Sequence, residues 1–292
     1  MISDQRTCGP GWFPSTKPNS VQIDSVIATS NDNANSPHRR CHRGLGDALA
    51  SAYSDAGHTV YATSRSDTPP TTGASDVTWI PSIDIASESA GEALAAAIPV
   101  HDVIDILVVT AGYFVSETFD EPKWSEEVKM YTTCAIGPLF VVQGLVAAGK
   151  IRTAIGSADK GGKVVLVSSE SGSIALRHEK EGGGNYAHHA SKSALNMVGK
   201  LLSLDLKDRG ISVALVHPGF MRTELTRNVG YDQYWESGGA VSPQEAASSL
   251  ISFIDTFTIE QTGEYWAPGV QVQNNIPANG GEACHTLANV PL

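Results

Sequence analysis

A chain of 292 residues, 41% hydrophobic and 17% charged, holds enough apolar material for one large core or at most two modest ones. Its formal net charge of -11, with no run of Lys and Arg to offset it, excludes a phosphate backbone as an expected partner. The four cysteines, Cys8, Cys41, Cys134 and Cys284, lack the paired spacing of a zinc site or redox motif, so free thiols and no metal are expected.

In chain order, the N-terminus Met1-Ile2-Ser3-Asp4-Gln5-Arg6 shows no basic-then-apolar leader. No apolar run approaches the roughly 20 residues that cross a bilayer, so the expectation is a cytoplasmic protein without a membrane partner. Residues 1–43, rich in Pro, Asn, Ser and Gly, read as an irregular N-terminal segment. From Gly44 to about Pro268, β-branched runs alternate with helical patterns. Strands are expected at His58–Arg65, Val77–Pro81, Val103–Thr110, Lys163–Ser169, Ile211–His217 and Glu264–Ala267. Helices are expected at Leu45–Ala56, Ser87–Ile98, Trp124–Lys150, His188–Arg209 and Pro243–Phe257. Gly57 and Gly210 follow two of these helices, where a left-handed terminating residue is wanted. The almost continuously apolar runs Ile104–Val109 and Val164–Val167 suit central strands buried on both faces. The fold expected is α/β, a doubly wound, Rossmann-type parallel sheet in a single domain over residues 44–268, followed by an irregular tail at 269–292.

Three segments carry chemistry. Gly44-Leu45-Gly46 opens a helix, and glycine there lets a dinucleotide pyrophosphate approach backbone N–H groups at the positive end of the helix dipole. The same pattern also suits an ordinary tight turn. The next strand ends in Arg65 with no acidic residue to hold a ribose 2′-hydroxyl; a guanidinium suits a 2′-phosphate, which favours NADP(H) over NAD(H), unless Arg65 is a solvated surface residue. The third segment joins Ser168-Ser169-Glu170-Ser171-Gly172 at a strand end to Asn185-Tyr186-Ala187-His188-His189-Ala190-Ser191-Lys192-Ser193-Ala194-Leu195-Asn196 at a helix start.

With this third segment the chain resembles the short-chain dehydrogenase/reductase family, which places a Ser at that strand end and a Tyr and a Lys on that helix. The run Leu204–Thr223, with Pro218-Gly219 and the downstream Thr223, is similar to the family's next strand and its turn over the nicotinamide. The resemblance spans about residues 44–268. It implies catalytic roles for Ser169, Tyr186 and Lys192. It also implies cofactor contacts from Gly44, Leu45, Gly46, Arg65, Asp84, Ala111, Gly112, Lys192, Pro218, Gly219 and Thr223. In that scheme Lys192 lowers the pKa of a tyrosine from its usual value near 10, and Ser169 hydrogen-bonds the substrate oxygen.

The chain departs from the family pattern in four places. The family spacing is Tyr-x-x-x-Lys, but Tyr186 precedes Lys192 by six positions, and the residue four before Lys192 is His188. Tyr186 is preferred, as an adaptable entry-loop residue, with His188 as its rival for the acid–base role. Val109-Thr110-Ala111-Gly112 stands where the family has Asn-Asn-Ala-Gly, and Cys134 falls near the place of a catalytic Asn, read here as a small packed group. Finally, Arg39 and Arg40 occupy the turn ahead of Gly44, and residues 31–38 have no β-propensity. The first central strand is therefore in doubt, with Val21–Thr29 the one candidate nearby.

The function implied is an NADP(H)-dependent oxidoreductase interconverting a ketone and an alcohol on a small organic molecule. The ending Gly263–Pro268 resembles microbial enzymes of secondary metabolism within the family. Tyr231, Tyr234 and Trp235 are candidates for a substrate pocket or for packing. A homo-oligomer through the two long helices is a further implication. The alternatives are a catalytically impaired binding or regulatory protein, and a non-redox dehydratase or cyclase on the same fold.

Overall fold

The computed structural model describes residues 23–27, 44–67, 77–155, 161–179, 182–269 and 288–289. Its elements in order are β1 (Ile23–Ile27), α1 (Leu45–Asp55), β2 (Val60–Thr63), β3 (Val77–Ile80), α2 (Ala90–Ala97), β4 (Ile106–Val109) and α3 (Trp124–Tyr131). They continue with α4 (Gly137–Ala147), β5 (Lys163–Val167), α5 (Tyr186–Leu206), β6 (Ser212–Val216), α6 (Glu224–Asn228), α7 (Pro243–Thr256), β7 (Tyr265–Ala267) and β8 (Ala288–Asn289). The strands form one sheet in the order β3-β2-β1-β4-β5-β6-β7-β8, parallel except for the antiparallel β7–β8 pair.

The doubt over the first strand is corrected by the structure. β1 lies inside Val21–Thr29 and pairs with both β2 and β4 at the centre of the sheet, its register shifting once between Asp24 and Val26. The physical reason is that β2 and β4 would otherwise each present a row of unpaired backbone groups, and this is the one β-branched run upstream that can serve both. The sheet thus draws on residues ahead of Gly44 and, through β8, on residues beyond Pro268. Arg39 and Arg40 lie outside the described residues.

The apolar runs become central strands because successive side chains point to opposite faces and both faces are covered. Leu107 and Val109 of β4 pack with Leu94 of α2, Val141 and Leu145 of α4, and Leu195 and Leu202 of α5. Ile106 and Val108 pack on the other face with Leu49 and Tyr53 of α1 and Leu250 and Phe253 of α7. Gly57 and Gly210 are left-handed, with φ of 83° and 73°, as their places after helices require.

The single helix expected over Trp124–Lys150 is interrupted by a π turn at Thr132–Ile136. Pro138 explains the break, since it has no N–H for the carbonyl of Cys134 and its ring would crowd that carbonyl in a regular turn. The run Trp124–Ala147 also corrects the expectation that no stretch approaches bilayer length. It has the length and composition to cross, but 56% of its most apolar window is buried inside the molecule. α5 begins at Tyr186, ahead of the expected His188, and α6 was not expected from the sequence.

Candidate active site

In a doubly wound sheet the loops leaving the carboxyl ends of the strands line the crevice. At the end of β5 the Val167 carbonyl accepts from Lys192 Nζ at 2.9 Å. Lys192 is 6% exposed, and burial depresses its ammonium pKa, an effect that neighbouring Cys134 opposes. Ser168 Oγ donates to Asn196 Oδ1 at 2.6 Å and ties β5 to α5. Half-buried Ser169 accepts the Ser171 N–H at 3.2 Å, capping the short turn Glu170–Gly172, so its own hydroxyl proton is left to donate to a ligand.

The two candidates for the acid–base position lie on different faces of α5. Tyr186 is itself helical, so the six positions to Lys192 put it about 120° around the helix and about 9 Å along it. Its side chain is 43% exposed, and its hydroxyl lies 3.4 Å from where a β-carbon on Gly183 would stand. His188 is one turn before Lys192 and turns inward. Its ring stacks on Phe114 at 4.0 Å between centroids, and its Nδ1 is buried without a partner among the described residues. Burial, and then the charges of Lys192, His189 and Arg177, lower its pKa to about 3, so the imidazole rests neutral. His188 and Lys192 therefore share one face of α5, Lys192 reaches the β5 terminus, and Tyr186 lies on another face.

Several of the cofactor candidates stand at the start of α1 or just beyond the carboxyl ends of the strands. Gly44 caps α1 with no side-chain acceptor, and among the described residues a β-carbon there would meet nothing within 4 Å, while one on Gly112 would meet just the Thr110 carbonyl at 4.0 Å. Leu45 and Gly46 are buried in the first turn of α1, and Ala111 is buried just beyond β4. Arg65 follows β2, close enough to Tyr113 for its charge to act on the phenol. Buried Pro218 and Gly219, the latter with φ of 92°, follow β6. The other two are spent locally: Asp84 is exposed with its Oδ1 accepting the Ala86 N–H, and Thr223 Oγ1 accepts the Thr226 N–H to cap α6.

Some residues at the site were not found from the sequence. Phe114, Glu117, Asn185 and His217 stand close to these residues, and none was singled out for a role from the sequence. His217, 6% exposed, sits with Nε2 3.9 Å from Glu170 Oε2; burial and the charge of Lys192 lower its pKa to about 4. Cys134 is packed, as expected, and its Sγ also accepts the Tyr113 N–H at 3.4 Å and donates to the Tyr113 carbonyl at 3.6 Å. Of the aromatic candidates, Tyr231 meets Phe114 edge-on at 5.8 Å, Tyr234 is 52% exposed, and Trp235 Nε1 donates to Thr226 Oγ1 at 3.2 Å.

Comparison with known proteins gives one family match, to short chain dehydrogenase, over residues 41–233. The chain is 29% identical over 224 residues to the 1-hydroxy-2-glutathionyl-2-methyl-3-butene dehydrogenase of Rhodococcus sp. (strain AD45), covering 76% of this chain and 91% of that one. The NADPH-bound carbonyl reductase from chicken fatty liver superposes with a TM-score of 0.66 at 20% identity, covering 85% of this chain and 97% of the reductase. The RhlG/NADP active-site complex of Pseudomonas aeruginosa superposes with a TM-score of 0.67 at 23% identity, covering 85% and 94%.

Proposed function

The chain belongs to the short-chain dehydrogenase family, and we propose that it is an NADP(H)-dependent oxidoreductase interconverting a ketone and an alcohol on a small organic molecule, with His188 in the acid–base place. The observation that carries this reading is that His188 and Lys192 share one face of α5, with Lys192 tied to the end of β5 next to Ser169; a pyrophosphate would be taken by the N-terminus of α1. NADPH, when bound, supplies the hydride. The chain's own groups handle the oxygen. Ser169 donates to it as charge develops, His188 passes a proton between it and solvent, and Lys192, fixed by Val167, places a positive charge beneath both. Secondary metabolism is the setting we favour, by likeness to microbial enzymes of the family.

Arg65 would face the 2′-phosphate. A charge-assisted contact of about 1.5–3 kcal/mol corresponds to about tenfold to a hundredfold in affinity. Arg65→Ala is expected to raise the Kd for NADPH by that factor while leaving NADH unchanged, as fluorescence titration of both nucleotides would show. Equal loss of both would remove Arg65 from cofactor selection. The working test of the function itself is NADPH oxidation across a panel of ketones. The outward Tyr186 favours one second reading, a member of the family that binds nucleotide without turnover; saturable NADPH binding with no oxidation across the panel would support it.

We also assign self-association to the exposed apolar face of α4 and α5. Ile136 (47% exposed), at the end of the π turn, and Leu139 (37%) and Phe140 (38%) lie on the first side, and Met197 (60%), Leu201 (53%) and Leu204 (63%) on the second. Leu201→Glu is expected to shift the protein from dimer to monomer in light scattering. A mass unchanged by the substitution would place the interface elsewhere.

A further inference from the structure

The first turn of α5 is held from outside the helix. Its N-cap, Asn185, is left-handed (φ 50°, ψ 37°) and gives no side-chain bond to the first N–H groups of the helix. The missing acceptor comes from Glu117, whose Oε1 takes the Ala187 N–H at 2.7 Å across a separation of 70 residues. Two more bonds fasten the same pair of segments. The Glu117 carbonyl accepts the Asn185 N–H at 3.0 Å, and the Glu117 N–H donates to Asn185 Oδ1 at 3.4 Å. The contact is close enough that a β-carbon on Gly184 would stand 2.9 Å from the Glu117 carbonyl, and its φ of 94° is one that glycine adopts at little cost.

The clamp continues into the site. Asn185 Nδ2 donates to the Tyr231 hydroxyl at 3.3 Å, Tyr231 meets Phe114 edge-on, and Phe114 stacks on His188. Glu117 and Phe114 leave β4 on the same loop, so the segment that caps Ala187 also carries the ring lying against His188. Glu117 is 7% exposed, and its carboxyl lies close enough to Glu127 to raise that residue's pKa, after burial, by its charge and a side-chain hydrogen bond. Burying a carboxylate costs free energy that an apolar residue at this place would avoid. An exposed Ser or Asp at the N-cap would have capped the helix without that cost.

We propose that Glu117 is a positioning residue for His188, its carboxylate fixing the first turn of α5 so that His188 stays stacked on Phe114 one turn before Lys192. The inference rests on the reading of His188 above only where activity is the readout. Its test therefore pairs kinetics with histidine NMR, the His188 signal being assigned by comparison with a His188 variant. In the native protein that signal is expected to carry the ring-current shift of Phe114 and to stay that of a neutral ring until about pH 3. In Glu117→Ala the shift is expected to shrink and the titration to move toward neutral pH. kcat is expected to fall about tenfold to a hundredfold with the NADPH KM within about twofold, the scale of a small misplacement of a reacting group. Glu117→Gln, which keeps an acceptor oxygen, is expected to restore both readouts. If Glu117→Ala does not fold, Glu117→Asp, which withdraws the carboxylate by one methylene, makes the same comparison with Glu117→Gln. An unchanged His188 signal in the alanine or aspartate variant overturns the proposal, as does a glutamine variant no better than either. A moved signal with unchanged kcat supports the positioning role and overturns the acid–base reading of His188.

Discussion

His188→Ala is expected to lower kcat/KM by about a hundredfold or more, and Tyr186→Phe to leave it within about threefold, the former being the usual scale of lost acid–base catalysis. The argument is geometric before it is electrostatic. On one helix, residues four apart share a face and residues six apart do not. Since α5 begins at Tyr186, the phenol has no entry loop from which to fold back onto Lys192. The imidazole has both the right face and a fixed orientation, given by the Phe114 stack. Its neutral resting form follows from burial and the Lys192 charge, so the rate should show no histidine titration near pH 6.5 from this residue. His188→Tyr restores the family spacing and should retain more activity than His188→Ala. Steady-state kinetics with NADPH and an accepted ketone reads all three variants. A Tyr186→Phe variant as damaged as His188→Ala would return the role to the tyrosine.

The second large effect is on stability in acid. His188 and His217 have folded pKa values of about 3 and about 4, both below the 6.5 of an exposed histidine, chiefly through burial. The unfolded chain therefore takes up protons first as the pH falls. The stabilisation is present in full above pH 6.5 and is lost as the pH drops, through both residues down to about 4 and through His188 alone below that. Each histidine contributes a slope of about 1.4 kcal/mol per pH unit within its window. Urea denaturation at pH 7, 6 and 5 should show this loss. A His217→Gln variant should show a slope shallower by about 1.4 kcal/mol per pH unit. Equal slopes in the two proteins would mean that His217 is not buried in its neutral form.

Most of the fold was legible because its cause is local. The runs Ile104–Val109 and Val164–Val167 need two covered faces, and that alone makes them inner strands of a parallel sheet. The Ser169 and Lys192 segment was readable because a motif spans consecutive residues. β1 was harder to read, because its place depends on the open edges of β2 and β4, which no stretch of its own residues announces. The π turn was missed since Pro138 was read as part of a regular helix, although its lack of an N–H was in the sequence. Phe114, Glu117 and Asn185 were invisible for a different reason. Their roles come from contacts between segments far apart in the chain, and each is an ordinary loop residue until the loop after β4 meets α5. Which face of α5 Tyr186 takes depends on where that helix begins, a boundary that sequence patterns fix only to within a few residues.

The most direct measurement is titration of the purified protein with NADPH, followed by nucleotide fluorescence and then by loss of NADPH absorbance when a ketone is added. Saturable binding near micromolar concentration, about -8 kcal/mol, followed by ketone-dependent oxidation, is the expected result. No binding at millimolar nucleotide would contradict the account, since α1, Arg65 and the turn at Gly219 would then not make a dinucleotide site at all.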